Sequence, residues 1–194
     1  LDDLGRNEEA IASYDQALKF KPDDHLAWCN RGIALDDLGH NEEAIASYDQ
    51  ALKIKPDDHL AWYNRGIALV NLGCNKEAIA SYDQALKIKP DDHLAWYNRG
   101  IALGNLGRNE EAITSYDQAL KFKPDDHLAW CNRGNALDDL GRNEEAITSY
   151  DQALKFKPDD HLAWYNRGIA LGNLGCNEEA IASYDQALKF KPTT

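Results

Sequence analysis

Apolar side chains along this chain follow two helical stripes that alternate, with glycine or proline closing each one. In the stretch 57–90 the first stripe comprises Leu60, Ala61, Trp62, Ile67, Ala68, Leu69 and Leu72. Asp57 and Asp58 after Pro56 are suited to accept hydrogen bonds from the free amides of a first helical turn, and Gly73 is suited to end the helix in a left-handed conformation. A second helix is predicted after Asn75, another capping type, with Ala78, Ile79, Tyr82, Ala85 and Leu86 at i, i+1, i+4, i+7 and i+8. Lys87 and Lys89 suit the negative end of its dipole, and Pro90 forbids continuation. Each helix of about 14 residues spans roughly 20 Å. Gly66, Ala78 and Ala85 are small enough for close helix approach, with Trp62 and Tyr82 expected to fill the space between the two helices.

The pattern repeats. The string Lys-Pro-Asp-Asp-His-Leu-Ala-Trp recurs every 34 residues, with prolines at Pro22, Pro56, Pro90, Pro124, Pro158 and Pro192. Complete units are read at 25–58, 59–92, 93–126, 127–160 and 161–194, preceded by a partial repeat, 1–24, that begins near the end of its first helix. A unit of two short helices cannot enclose a core alone and must bury its apolar face against its neighbours. On this register the chain is expected to be a piece of a longer array, with both ends expected to present surfaces meant for another repeat. Residues 1–90 match 103–192 at most positions, so a three-repeat block was duplicated; Ile33 against Asn135, His40 against Arg142 and Val70 against Gly172 are scattered differences of the kind drift produces.

The order Trp62, Gly66, Ala78, Tyr82, Ala85, Pro90 at this period resembles the tetratricopeptide repeat, over the whole chain. The resemblance implies an all-α fold, an α-α superhelix in which antiparallel helix pairs form a right-handed solenoid, with the first helix of each unit on the concave face. Two positions depart from the family pattern. Arg31, Arg65, Arg99, Arg133 and Arg167 stand where a large apolar residue is common, and Leu35, Leu69, Leu103, Leu137 and Leu171 where Tyr is frequent. An arginine stem can lie along a core while its head reaches solvent or an acid.

Charge narrows the partners. With 33 Asp plus Glu against 21 Lys plus Arg, the net charge is -12, which disfavours nucleic acid and favours a neutral to basic protein or peptide partner. No run of about 18 apolar residues or lipidation signal is seen, so no membrane association is expected, and a cytoplasmic location is the default expectation. Cys29, Cys74, Cys131 and Cys176 form two pairs of copies 102 residues apart, too distant along a solenoid for disulfides and expected as free thiols. His25 with Cys29 and His127 with Cys131 have i, i+4 spacing, but two ligands rarely hold a metal, and three of the five copies of that His lack the Cys. No metal or other cofactor is expected. His40 is a lone loop residue.

The concave assignment gives Leu60, Tyr63, Asn64, Ile67, Val70, Asn71 and their copies to the binding face, and their shared helical side agrees with it. An unbroken row, Asn30, Asn64, Asn98, Asn132 and Asn166, offers donors and acceptors able to hold a peptide backbone, about one asparagine per three peptide residues. A similar ladder is known in tetratricopeptide domains that present peptides to a glycosyltransferase. The alternative is that each asparagine bonds to the adjacent helix or to water. Candidate binding residues beside the row are Tyr63, Tyr97 and Tyr165, with Asn71, Asn105 and Asn173. A lysine clamp for a peptide carboxylate is not expected, since Cys29, Tyr63, Tyr97, Asp37, Asn71 and Asn105 occupy the matching places. Asp36, Asp37, Asp138 and Asp139 make two acidic patches that either favour Lys or Arg in a ligand or are simply solvated.

No nucleophile-base set, phosphate loop or metal quartet appears, and identical copies lack the environmental contrast that acid-base catalysis needs, so no enzyme is expected within these residues. The leading expectation is an interaction module that binds an extended segment in its groove. The alternatives are a head-to-tail structural scaffold, or the substrate-recognition region of a larger multidomain protein.

Overall fold

The computed structural model describes residues 2–191, with side chains from residue 6 onward. Leu1 and residues 192–194, Pro192 among them, bound the leading fragment and the last unit and lie outside the described residues. Eleven α-helices and no strand are found among the described residues: α1 Asp2–Phe20, α2 His25–Asp37, α3 Asn41–Ile54, α4 His59–Asn71, α5 Asn75–Ile88, α6 His93–Asn105, α7 Asn109–Phe122, α8 His127–Asp139, α9 Asn143–Phe156, α10 His161–Asn173 and α11 Asn177–Phe190. The chain divides into two compact units, one ending at Ala102 and one beginning at Leu103.

In the first unit α2 pairs with α3 and α4 with α5, while α1 packs on α2 and α3 on α4. Asp58 caps α4: its Oδ1 accepts from the Leu60 and Ala61 amides at 3.1 and 3.3 Å. Gly73, at φ 76°, closes the helix, with the Gly73 and Cys74 amides donating to the Val70 and Leu69 carbonyls. This closure places Cys74, not Asn75, at the N-cap of α5, and Cys74 makes no side-chain capping bond. The expectation that Asn75 caps the second helix is therefore corrected: it is the first helical residue, because the glycine turn consumes one position fewer than an asparagine cap requires. In the leading fragment α1 runs unbroken from Asp2 through Gly5 to Phe20.

The core is small residues around one aromatic per pair. Tyr48 and Tyr82 are fully buried, and a Cβ built on Gly66 would stand 2.5 Å from Tyr82 Cε1. The tyrosine thus occupies the space that glycine vacates between α4 and α5. Trp62 was expected there too, but it packs against a cluster of Cys29, Ala51, Leu52 and Ala61, which draws on α2 and α3 of the preceding repeat and on α4 but not on α5. Its Nε1–H donates to the Pro56 carbonyl at 2.9 Å, a bond repeated from Trp28 to Pro22 and from Trp96 to Pro90. Indole is too large for the gap beside Gly66 once Tyr82 fills it, and its polar edge finds a partner in the loop.

The second unit repeats this scheme. α8 pairs with α9 and α10 with α11, α7 packs on α8 and α9 on α10. Tyr150 is fully buried against Gly134, and Asp126 and Asp160 cap α8 and α10. Trp130 and Trp164 donate to Pro124 and Pro158.

Candidate functional site

Side chains on successive first helices are held in place by a clamp built on the arginines. Arg65 Nε donates to Asp49 Oδ1 on α3 at 2.7 Å and its Nη1 donates to Ser81 on α5 at 2.7 Å, while the guanidinium lies 5.9 Å from the Trp62 ring centroid. Ser81 in turn donates to the Glu77 carbonyl. One side chain therefore joins the two helices of its own repeat to the second helix of the repeat before. Arg31 does the same with Asp15 and Ser47; in the second unit Arg133 takes Asp117 and Ser149, and Arg167 takes Asp151 and Ser183. This explains both the arginines that depart from the family pattern and the buried serines. The i, i+16 spacing of Arg to Ser, and of Asp to Arg, is the sequence signal that could have found it.

On the first-helix face of the first unit, Asn30 is exposed, and Asn64 and Asn98 are half-buried. Asn98 Nδ2 donates to the Tyr63 hydroxyl of the preceding repeat and to the Leu94 carbonyl, both at 3.0 Å. Tyr63, tilted against Tyr82 with ring centroids 6.1 Å apart, is pushed up in pKa by burial and by the charge of Asp92, and the Asn98 bond offsets part of that. Asn71 Nδ2 reaches Asp36 Oδ1 at 3.4 Å. Burial raises the Asp36 carboxyl above its usual range; the Asn71 bond opposes this and Asp37 adds to it. Leu60 and Leu94 are exposed along the same face. Tyr97 is half-buried, and Asn105 is exposed near the end of α6.

The second unit brings Asn166 Nδ2 to Asn135 Oδ1 at 2.9 Å, and the buried Tyr150 hydroxyl donates to the same oxygen, also at 2.9 Å. Asn132 and Asn166 are half-buried. Tyr165 is half exposed and lies 5.7 Å from Tyr184 between ring centroids; Asn173 Nδ2 contacts Asn143 Oδ1 at 3.4 Å. Asp138 is raised by burial and then by Asp139. Asn135 is the residue that sequence reasoning passed over as a scattered difference. Its signal was the one polar side chain in the series Ile33, Ile67, Ile101, Asn135, Ile169.

The four cysteines are free thiols. Cys29 Sγ lies 4.0 Å from Asp58 Oδ2, which also lies 4.0 Å from His25 Nε2. Burial, then Asp58, pushes the Cys29 thiol up to about 11, and burial, then Asp160, pushes Cys131 up to about 12. Among the described residues no group of three His, Cys, Asp or Glu side chains could hold a metal ion, and no helix is long and apolar enough to cross a membrane.

Models described as tetratricopeptide repeat match residues 1–59, 29–93 and 63–127, then 115–148 and 161–194, and one described as TPR repeat matches 134–175. No curated protein is matched. Among solved structures, that of YrrB, described as a TPR protein with an unusual peptide-binding site, aligns with a TM-score of 0.80 at 24% identity, covering 92% of each chain. The crystal structure of MamA aligns with a TM-score of 0.80 at 23% identity over 82% of this chain and 93% of that one. MamA 41-end from Desulfovibrio magneticus RS-1 gives 0.81 at 22% identity over 86% and 94%. At these identities the likeness is one of fold.

Proposed function

Because this chain belongs to the tetratricopeptide repeat family, we propose that it is a non-enzymatic protein-interaction scaffold that holds an extended segment of a partner along its first-helix faces. The observation that carries this reading is the asparagine row. Asn98 and Asn166 each use Nδ2 on a neighbouring repeat, which fixes the side chain and leaves its Oδ1 as an acceptor. Fixed acceptors of this kind, beside exposed leucines such as Leu60 and Leu162, match a backbone that offers N–H groups at regular intervals and apolar side chains between them. YrrB, with its unusual peptide-binding site, points the same way. The acceptors and the net charge of -12 favour a neutral to basic partner, and nucleic acid is disfavoured.

The test is a random-peptide display selection on the chain and on an Asn64→Ala/Asn98→Ala variant. Peptides recovered by the first and lost by the second support the reading. Peptides held equally by both remove the asparagines from it, and the absence of any enriched peptide overturns it.

A further inference from the structure

A surface made of copied units has a difficulty that a single pocket lacks. Where each repeat offers the same Leu, Asn and Ile, an extended segment moved along by one repeat meets the same chemistry at those positions again, and they do not fix its register. Register in such cases is set by a single polar position within an apolar series, as a lone buried asparagine sets it in coiled coils. On the first helices that series is Ile33, Ile67, Ile101, Asn135 and Ile169, and Asn135 alone is polar.

The geometry around Asn135 is that of a positioned donor. Its Oδ1 accepts from the Tyr150 hydroxyl and from Asn166 Nδ2, both at 2.9 Å. Two bonds occupy the two lone pairs of that oxygen and fix which end of the amide points where. The Nδ2 end is left with both hydrogens and no partner among the described residues. Asn166, having spent one amide hydrogen on Asn135, keeps its Oδ1. A donor on Asn135 and an acceptor on Asn166, on residues already joined by one hydrogen bond, complement a carboxamide, which offers an acceptor and a donor. A carboxylate is a poorer match, because Asp138 and Asp139 lie three and four residues further along α8, on the same side of the helix as Asn135.

We propose that Asn135 is the specificity-determining residue of the first-helix face, and that with Asn166 it fixes the register of a bound segment by pairing with a neutral carboxamide side chain, Asn or Gln. This rests on the peptide-binding reading above. Folding does not require an asparagine at this position: Ile67 holds the matching place in the first unit, where Tyr82 is equally buried.

Two variants separate register from stability. Asn135→Asp keeps an Oδ1 for Tyr150 and Asn166 but replaces the donating end with a charged acceptor. Asn135→Ile restores the residue of the other repeats. Both are taken through random-peptide display selection in parallel with the native chain, with urea unfolding midpoints recorded for all three. The expected result is an Asn or Gln enriched at one position in peptides selected by the native chain. Those peptides should lose roughly tenfold or more in affinity for both variants, the effect of removing a hydrogen bond to a positioned amide. Selection on Asn135→Asp should recover Lys or Arg at that position. In the double variant Ile67→Asn/Asn135→Ile, a photo-crosslinker placed at the same peptide position should move from residues 127–160 to residues 59–92. Native-selected peptides with no carboxamide preference, or bound equally by Asn135→Asp, overturn the proposal while leaving the groove reading standing. A native chain that enriches no peptide overturns both.

Discussion

At the residue scale, a methyl group at Gly66 would stand 2.5 Å from Tyr82 Cε1 and 2.8 Å from its Cζ. Tyr82 is fully buried, so the ring has nowhere to retreat, and Gly66→Ala is expected to destabilise the chain by about 1–3 kcal/mol through overpacking, read as a lower urea midpoint. Gly172, in α10, is the control: a Cβ there meets nothing within 4 Å, its φ is not in the left-handed region, and the matching position in α4 carries Val70. Gly172→Ala should raise stability by roughly 0.5–1 kcal/mol from helix propensity alone. The tyrosine-glycine pair was legible in the sequence because small and large residues alternate at fixed spacing. The neighbouring tryptophan was not, because apolar periodicity says that a residue is buried and not which of two adjacent helices buries it. The same limit applied to Asn135, whose partners sit 15 and 31 residues away.

The cysteines give a second residue-scale prediction, with a pH sign. Cys29 and Cys131 have folded values pushed up to about 11 and about 12 from an ordinary value of 9.0, by burial first and by Asp58 or Asp160 next. A group whose folded value is raised contributes stability that is present in full below its unfolded value and is lost as pH rises towards the folded one. The chain should therefore lose stability between about pH 9 and pH 11, measured as a falling urea midpoint. Cys29→Ser/Cys131→Ser should flatten that fall, and an unchanged slope would remove the thiols from the account. At about pH 8, below the range where Cys29 and Cys131 ionise, iodoacetamide should modify the exposed Cys74 and Cys176 readily, the partly covered Cys131 slowly and the buried Cys29 only once urea unfolds the chain, as read by mass spectrometry.

Between elements, the arginine clamp decides how tightly one repeat is coupled to the next. Arg65 reaches Asp49 on the preceding second helix with Nε and Ser81 on its own second helix with Nη1. A lysine is a single point donor on a flexible stem and cannot hold both while lying flat on Trp62. Asp49 is nearly half exposed, so the ion pair alone contributes little. The larger cost of Arg65→Lys is Ser81, which is buried and would lose its donor. A destabilisation of about 1–2 kcal/mol follows, with a broader unfolding transition because the coupling between α3, α4 and α5 weakens before the helices themselves do. An equally sharp transition at a lower midpoint would place the arginine's role within its repeat. From the sequence these arginines are a departure from the family whose stem can lie along the core with its head at solvent or an acid; which acid, and the buried serine, were not legible, since both partners are met across a distance of 16 residues that corresponds to no helical period.

For the molecule as a whole, the arrangement of charge is as periodic as the packing. Every glutamate but Glu8 and Glu9, which lie within α1, falls in the opening turn of a second helix, and twelve of the thirteen lysines fall in the Lys-Phe-Lys or Lys-Ile-Lys triplets that close those helices. Both placements suit the helix dipole. They also separate the charges along each helix pair, with the glutamates beside the intra-repeat glycine turn and the lysines beside the proline loop. The lysines there adjoin Asp pairs in sequence, and Lys21 binds Asp24 at 3.4 Å; of the glutamates, Glu111 is bound by Arg108 and Glu110 and Glu145 by Arg142, while the opening turn of α5 carries Lys76 beside Glu77. Most of the net charge of -12 therefore acts as repulsion on the glycine-turn edge, renewed at each repeat and open to solvent. Salt screens such repulsion within about 10 Å at 0.1 M, while the half-buried Arg–Asp pairs are shielded from it. Raising sodium chloride from low to moderate concentration should accordingly increase the thermal midpoint rather than lower it. A midpoint that falls with salt would mean that the ion pairs outweigh the repulsion and that the excess acid costs the fold little. The same edge is what a basic partner would approach first. Its salt dependence is then a check on the partner as well: association governed by the asparagines and the apolar face should survive salt that abolishes association governed by the glutamates.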